Sequence, residues 1–207
     1  MTHGEAREQI YRALGQMLSG TDFRLKRSEE GYVRAIRGCR QDIGVPFYDY
    51  NPRFEFSLVM GVRLDEVEKI TFMFSGAPVQ CRSGGVSTII RLEYFAPEVP
   101  DRFTVWSEKD IEQAANVLAP IVRERIVPFL DQHRDVQSLD KALHHGAQQL
   151  DTSHHPYRGM SGITIARLAG NPEFDTLVAK YLAEMSSIPP DYRAKFVRLA
   201  EYLKTMS

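Results

Sequence analysis

Arg53-Phe54-Glu55-Phe56-Ser57-Leu58 alternates polar and apolar side chains, and this alternation constrains the chain more than any other feature. A period of two marks a β-strand with one packed face and one wet face. The strand is expected over residues 53–62, although the alternation itself covers only its first six positions. Comparable runs stand on either side, at residues 23–27, 32–37, 69–74, 86–95 and 102–106. No long helical pattern separates them. The pattern therefore predicts an antiparallel meander of about five or six strands rather than a parallel βαβ sheet.

Helical patterns lie on both sides of these strands. Ala6, Ile10, Ala13, Leu14 and Met17 recur at helical spacing and predict an opening helix that ends near Gly20. Ser107, with Asp110 three residues later, has the form of a capping box. Ile111, Ala115, Leu118, Val122, Ile126 and Phe129 then hold one face, and Pro120 and Pro128 predict a kink or two consecutive helices. A short helix is expected from about Gln137 to His145, closed by Gly146. Residues 146–162, bearing Gly146, Pro156, Gly159 and Gly162, read as a linker. Asn171-Pro172 suits the start of a helix with Phe174, Leu177, Tyr181 and Met185 on its face. After Pro189-Pro190 a last helix carries Phe196, Leu199 and Leu203. Two such stripes need burial, against this chain or against a second copy in a homodimer.

The fold class that follows is α+β. It combines an antiparallel β-meander, an N-terminal helix and C-terminal helices packed on one face. Residues 1–133 are expected to form the sheet domain, and residues 134–207 a helical C-terminal extension packed on it and ending in a helical hairpin.

Composition narrows the function classes. With 43% hydrophobic residues the chain has the apolar surface to bury a core. A formal net charge of −1 removes any global drive toward nucleic acid or anionic membrane. No apolar run approaches the roughly 18 residues of a membrane span. Met1-Thr2-His3-Gly4-Glu5 lacks the basic-then-apolar pattern of a secretion signal. Cys39 and Cys81 are the only cysteines and are expected to be reduced thiols, which points to a cytoplasmic protein with no membrane partner.

Catalytic and cofactor motifs are sparse. Five of the six histidines fall between His133 and His155, but neither HExxH nor a two-cysteine, two-histidine spacing is present. His144 and His145 suit the negative end of a helix, so no metal site is expected. Cys81-Arg82-Ser83-Gly84-Gly85-Val86-Ser87 lacks the arginine and the following helix of a cysteine-phosphatase loop. No dinucleotide fingerprint or P-loop appears, and no cofactor is called for. Asp65, Glu66 and Glu68 read as a solvated turn after a strand.

Two surface features remain. Arg24, Lys26, Arg27, Arg34, Arg37 and Arg40 cluster in or beside the first hairpin, with Arg34 expected across from Arg24 or Lys26. They form either a docking surface or a set of charges neutralised by Glu29, Glu30, Glu55 or Glu93. Tyr48 and Tyr50 are half-wet aromatics of the kind favoured at interfaces. The candidate binding residues are therefore Arg24, Lys26, Arg34, Tyr48, Tyr50 and Arg53, facing another protein of acidic character. No RNP-like or helix-turn-helix signature supports a nucleic-acid partner.

The order helix, meander, helix, with Tyr48-Asp49-Tyr50-Asn51-Pro52-Arg53-Phe54-Glu55-Phe56 between sheet strands, resembles small uncharacterised bacterial α+β proteins of the kind found among polymorphic-toxin immunity families. The resemblance implies a cytoplasmic protein that binds another protein and neutralises a toxin. It brings no catalytic residues with it. The alternative is a hydrolase or transferase acting on a phosphate-bearing or other anionic substrate. Its dispersed site would draw on Arg24, Arg34, Asp49, Arg53, Glu55, His144 and His154.

Overall fold

The computed structural model describes residues 1–78, 85–145 and 156–206. The architecture is α+β, with a five-stranded sheet in the order β1 (Arg24–Lys26), β2 (Gly31–Ile36), β3 (Cys39–Gly44), β6 (Val59–Leu64), β7 (Thr88–Arg91) and a second sheet in the order β4 (Phe47–Asp49), β5 (Phe54–Phe56), β8 (Phe103–Val105). Helix α1 (His3–Met17) opens the chain. Its start is fixed by a capping box in which Thr2 N donates to Glu5 at 2.7 Å and Glu5 N donates to Thr2 at 3.3 Å. Strands β1 (Arg24–Lys26), β2 (Gly31–Ile36), β3 (Cys39–Gly44) and β4 (Phe47–Asp49) follow.

The alternating run does not form one strand. It divides into β5 (Phe54–Phe56) and β6 (Val59–Leu64), which belong to different sheets. The break falls inside the sequence alternation, where burial stops alternating: Phe56, Ser57 and Leu58 are buried in succession, and consecutive burial does not fit a strand with one wet face.

Helix α2 (Asp65–Ser75) replaces the strand expected at residues 69–74. Its buried positions are Val67, Ile70, Thr71 and Ser75, at helical rather than strand spacing. Asp65, Glu66 and Glu68 form its first turn, where carboxylates face the positive end of the helix. The strand expected over 86–95 is shortened to β7 (Thr88–Arg91) and turns into α3 (Leu92–Phe95), with Leu92 and Phe95 both buried. Strand β8 (Phe103–Val105) lies within the expected run.

Helix α4 (Glu108–Ile121) starts at the Ser107–Asp110 capping box. Pro120 and Pro128 do not break the chain; a π-helical segment, Val122–Ile126, leads directly into α5 (Val127–Gln132). Proline cannot donate to the helical ladder, and a wider turn absorbs the lost register. Helix α6 (Val136–Asp140), capped by Asp135, also passes into a π-helical segment, Lys141–His145. The expected linker is corrected in part. Residues 146–155 lie outside the described residues, and from 156 the chain is helix α7 (Pro156–Ala169). Helices α8 (Phe174–Glu184) and α9 (Pro190–Thr205) complete it.

The chain divides into two compact units. The first comprises residues 1–36, 40–61 and 90–132, and Ile10, Leu14, Phe56, Leu58, Ile111 and Leu118 line a small apolar void inside it. The second comprises residues 37–39, 62–89 and 133–207. In it α7 is flanked by α2, α8 and α9. Met160, Ile163, Phe174, Leu177, Phe196, Leu199 and Leu203 share one core, each contributing roughly 1.5–3 kcal/mol through burial. No helix among the described residues is long and apolar enough to cross a membrane.

Candidate functional site

The basic hairpin is a neutralised surface rather than a field of bare cations. Lys26 pairs with Glu29, Arg27 with Glu8 at 2.6 Å, and Arg7 with Glu30 at 3.5 Å. Arg40 lies between Glu29 at 2.8 Å and Asp42 at 3.0 Å. Burial pushes the Asp42 carboxyl up despite the hydrogen bonds and charge of Arg40. Arg24 is exposed and donates to the carbonyls of Thr21 and Phe23 at 3.1 and 3.0 Å.

Arg34 does not reach solvent, and this expectation is corrected. The register pairs Arg24 with Val33 and Lys26 with Gly31, so Arg34 falls on the other face of the hairpin, with Leu25 and Tyr32. A shift of one residue exchanges the faces of a strand. Only 6% exposed, Arg34 ion-pairs with Asp131 at 2.7 Å and donates to Gln41 at 2.6 Å. Its guanidinium stands 4.5 Å over the Phe23 ring.

The small sheet gathers a different set. Its register aligns Tyr48 with Glu55 and Glu55 with Thr104; Phe47, Phe56 and Phe103 form the neighbouring rung. The phenylalanine rung packs inward, with Phe56 and Phe103 stacked at 5.4 Å. The Tyr48–Glu55–Thr104 rung therefore faces outward. Tyr50, Arg53, Arg102 and Trp106 stand just beyond the ends of these strands, and contacts to Tyr48 and Glu55 bring Arg102, Arg53 and Tyr50 onto this face. Trp106 is 60% and Tyr50 47% exposed.

Contacts within the face hold its long side chains in place. The Arg102 guanidinium lies 4.0 Å over the Tyr48 ring and donates to the Tyr50 hydroxyl at 3.1 Å. Arg53 stands 5.4 Å over the Tyr50 ring. Both arginines share Glu55, at 3.7 Å from Arg102 and 3.8 Å from Arg53. Asp49 leaves this group: it approaches His3 at 3.8 Å, and the His3 ring packs edge-on against inward-facing Phe54. Tyr48, Tyr50 and Arg53 are thus brought together, while Arg24 and Lys26 lie on β1, at an edge of the other sheet. The candidate binding residues are therefore divided between the two sheets. Arg102 completes the face, and its two-residue step from Thr104 is legible in the sequence; Trp106 stands exposed just past β8.

A second constellation is buried. Asp140 accepts from His144 Nδ1 at 2.7 Å, and His144 Nε2 meets the Tyr181 hydroxyl at 3.1 Å. The Asn171 amide lies 3.1 and 2.9 Å from the two Asp140 oxygens and 2.9 Å from His145 Nε2. The π-helical turn matters here, because its i→i+5 winding holds more residues per turn and lets residues four and five beyond Asp140 both approach it. His144 is therefore a hydrogen-bonded core residue rather than a solvated helix end. Burial alone would raise the Asp140 carboxyl, but hydrogen bonds from His144 and Asn171, with the charges of both histidines, hold it below the usual range. Asp140, His144 and Tyr181 are 5%, 8% and 4% exposed, and a satisfied polar network at such depth rigidifies the packing around it. Among the described residues no three His, Cys, Asp or Glu side chains converge as a metal set. Cys81 and His154 lie outside the described residues.

Gly162 gives Tyr181 its seat. A Cβ there would lie 2.6 Å from the Tyr181 hydroxyl oxygen and 2.9 Å from Cζ. Gly162→Ala should therefore lower the urea stability of the protein by about 1–3 kcal/mol, the usual cost of overpacking. An unchanged midpoint would mean that the ring moves aside freely.

No protein-family model matches the chain, and neither does any curated protein or solved structure. The local geometry is therefore what bears on function.

Proposed function

We propose that this chain is a protein-binding module whose contact surface is the outer face of the β4-β5-β8 sheet. The observation that carries this reading is the cluster of Tyr48, Tyr50, Arg53 and Arg102, fixed by stacking and shared contacts, with exposed Trp106 just past β8. Tyrosine, arginine and tryptophan dominate binding hot spots because each covers a large area and ends in a polar group. Side chains already held in one arrangement lose less entropy on binding. The finer reading, neutralisation of a toxin, rests on the resemblance of the helix, meander, helix order, with the segment from Tyr48 to Phe56, to small bacterial proteins of the kind found among immunity families.

The test is photo-cross-linking in the native cells. A photoreactive amino acid at position 104, in the middle of the face, should yield a discrete covalent adduct with another protein. The same amino acid at position 124, an exposed site on the helical π-segment, should not. Tyr50→Ala with Trp106→Ala should reduce the adduct from position 104 at least about tenfold, equivalent to roughly 1.4 kcal/mol. Equal capture from both positions, or capture indifferent to the double change, would refute the proposal.

A further inference from the structure

We infer that the outer face of the β4-β5-β8 sheet takes an acidic polypeptide segment, with one partner carboxylate between Arg53 and Arg102 and an apolar side chain against Trp106. This rests on the protein-binding reading of the same face and adds the chemistry of the partner. The charge count comes first. Arg53 and Arg102 are 44% and 43% exposed, whereas Glu55 beneath them is 15% exposed. Two cations therefore face solvent over one largely covered carboxylate, which leaves an excess positive charge on the face. Asp49 does not cancel it, since it turns toward His3.

Hydrogen-bonding capacity points the same way. Glu55 lies 3.7 and 3.8 Å from the two guanidinium groups, too far for the short, forked pairs that arginine forms with carboxylates. Arg102 is already aimed by Tyr48 and Tyr50. A carboxylate arriving from outside would meet oriented donors and lose little to their ordering. Trp106, the residue that follows β8, is 60% exposed and supplies an apolar surface next to the sheet. A nucleic acid is the weaker match. Its affinity depends on neutralising many successive phosphates, and this face offers two arginines on a chain of net charge −1.

Trp106 is the only tryptophan in the chain and directly follows β8, so its fluorescence is a local probe of binding there. The probes are a short peptide alternating Glu and Leu, its counterpart with Gln in place of Glu, and an oligothymidylate of matched length. The Glu–Leu peptide should change Trp106 emission saturably, and added salt should weaken the effect. Arg53→Gln with Arg102→Gln should raise its apparent Kd at least about tenfold, with an unchanged circular dichroism spectrum showing that the fold is intact. The Gln–Leu peptide and the oligothymidylate should give no saturable change. An inert Glu–Leu peptide, an equal response to the Gln–Leu peptide, or a response to oligothymidylate alone would overturn the inference. If cross-linking from position 104 still captures a protein while the Glu–Leu peptide is inert, the binding face stands and its acidic partner falls. If both fail, so does the reading beneath them.

Discussion

Replacing Arg34 with glutamate is expected to destabilise the protein by about 3 kcal/mol or more, the scale of breaking one partner of a buried ion pair. Arg24→Glu, on the neighbouring strand, is expected to stay within about 0.5 kcal/mol. The two arginines look alike in sequence and differ in every physical respect. Arg34 is 6% exposed, and its guanidinium lies over Phe23 while bonding Asp131 and Gln41. Gln41 is itself fully buried and donates onward to the Leu130 carbonyl. A glutamate at position 34 would turn a carboxylate toward Asp131 and remove the donor to Gln41. Asp131 is 43% exposed, so water screens part of the lost attraction. Water does not replace the contacts to Gln41 and Phe23. Urea unfolding followed by circular dichroism compares the two variants, and equal midpoints would show that Arg34 is not structural.

The same pair shows what the sequence made legible. The strands around residues 24–26 and 31–36 follow from their composition, but the register between them does not. A single step decides whether Arg34 faces water or core. The outer face of the small sheet was half legible: Tyr48, Tyr50 and Arg53 stand out as half-wet side chains, and the short strand at 102–106 is visible. Its pairing with β5, which brings Arg102 over Tyr48, is a long-range contact that no local pattern encodes. Residues 69–74 misled because Ile70, Phe72 and Phe74 alternate. The acids at 65, 66 and 68 were the better signal, since they mark a helix start. The Asp140 network was hidden for another reason. His144 follows Asp140 by four residues, which is visible, but Asn171 and Tyr181 reach them only through the packing of distant helices.

Asp140→Ala is expected to cost roughly 3 kcal/mol or more near neutral pH, because hydrogen bonds to a charged carboxylate contribute about 1.5–3 kcal/mol each and two are lost. The alanine would leave the His144 ring and the Asn171 amide without their acceptor inside a buried cluster. Tyr181 would then lose the orientation of its own partner, since His144 meets its hydroxyl through the opposite ring nitrogen. The pH dependence separates this from loss of packing alone. The carboxyl of Asp140 is held below its ordinary value in the folded state, by the His144 and Asn171 hydrogen bonds acting against burial. Folding is therefore favoured while the group is ionised in both states, above the unfolded pKa of about 3.9. That contribution disappears as pH falls through the lower folded value. The stability gap between the native protein and the Asp140→Ala variant should accordingly be largest above about pH 4 and narrow below it. Urea titrations at a series of pH values, read by circular dichroism, measure the gap. A gap that stays constant into acid would mean that Asp140 acts by filling space, and its ionisation would then contribute nothing to holding α6 against α7 and α8.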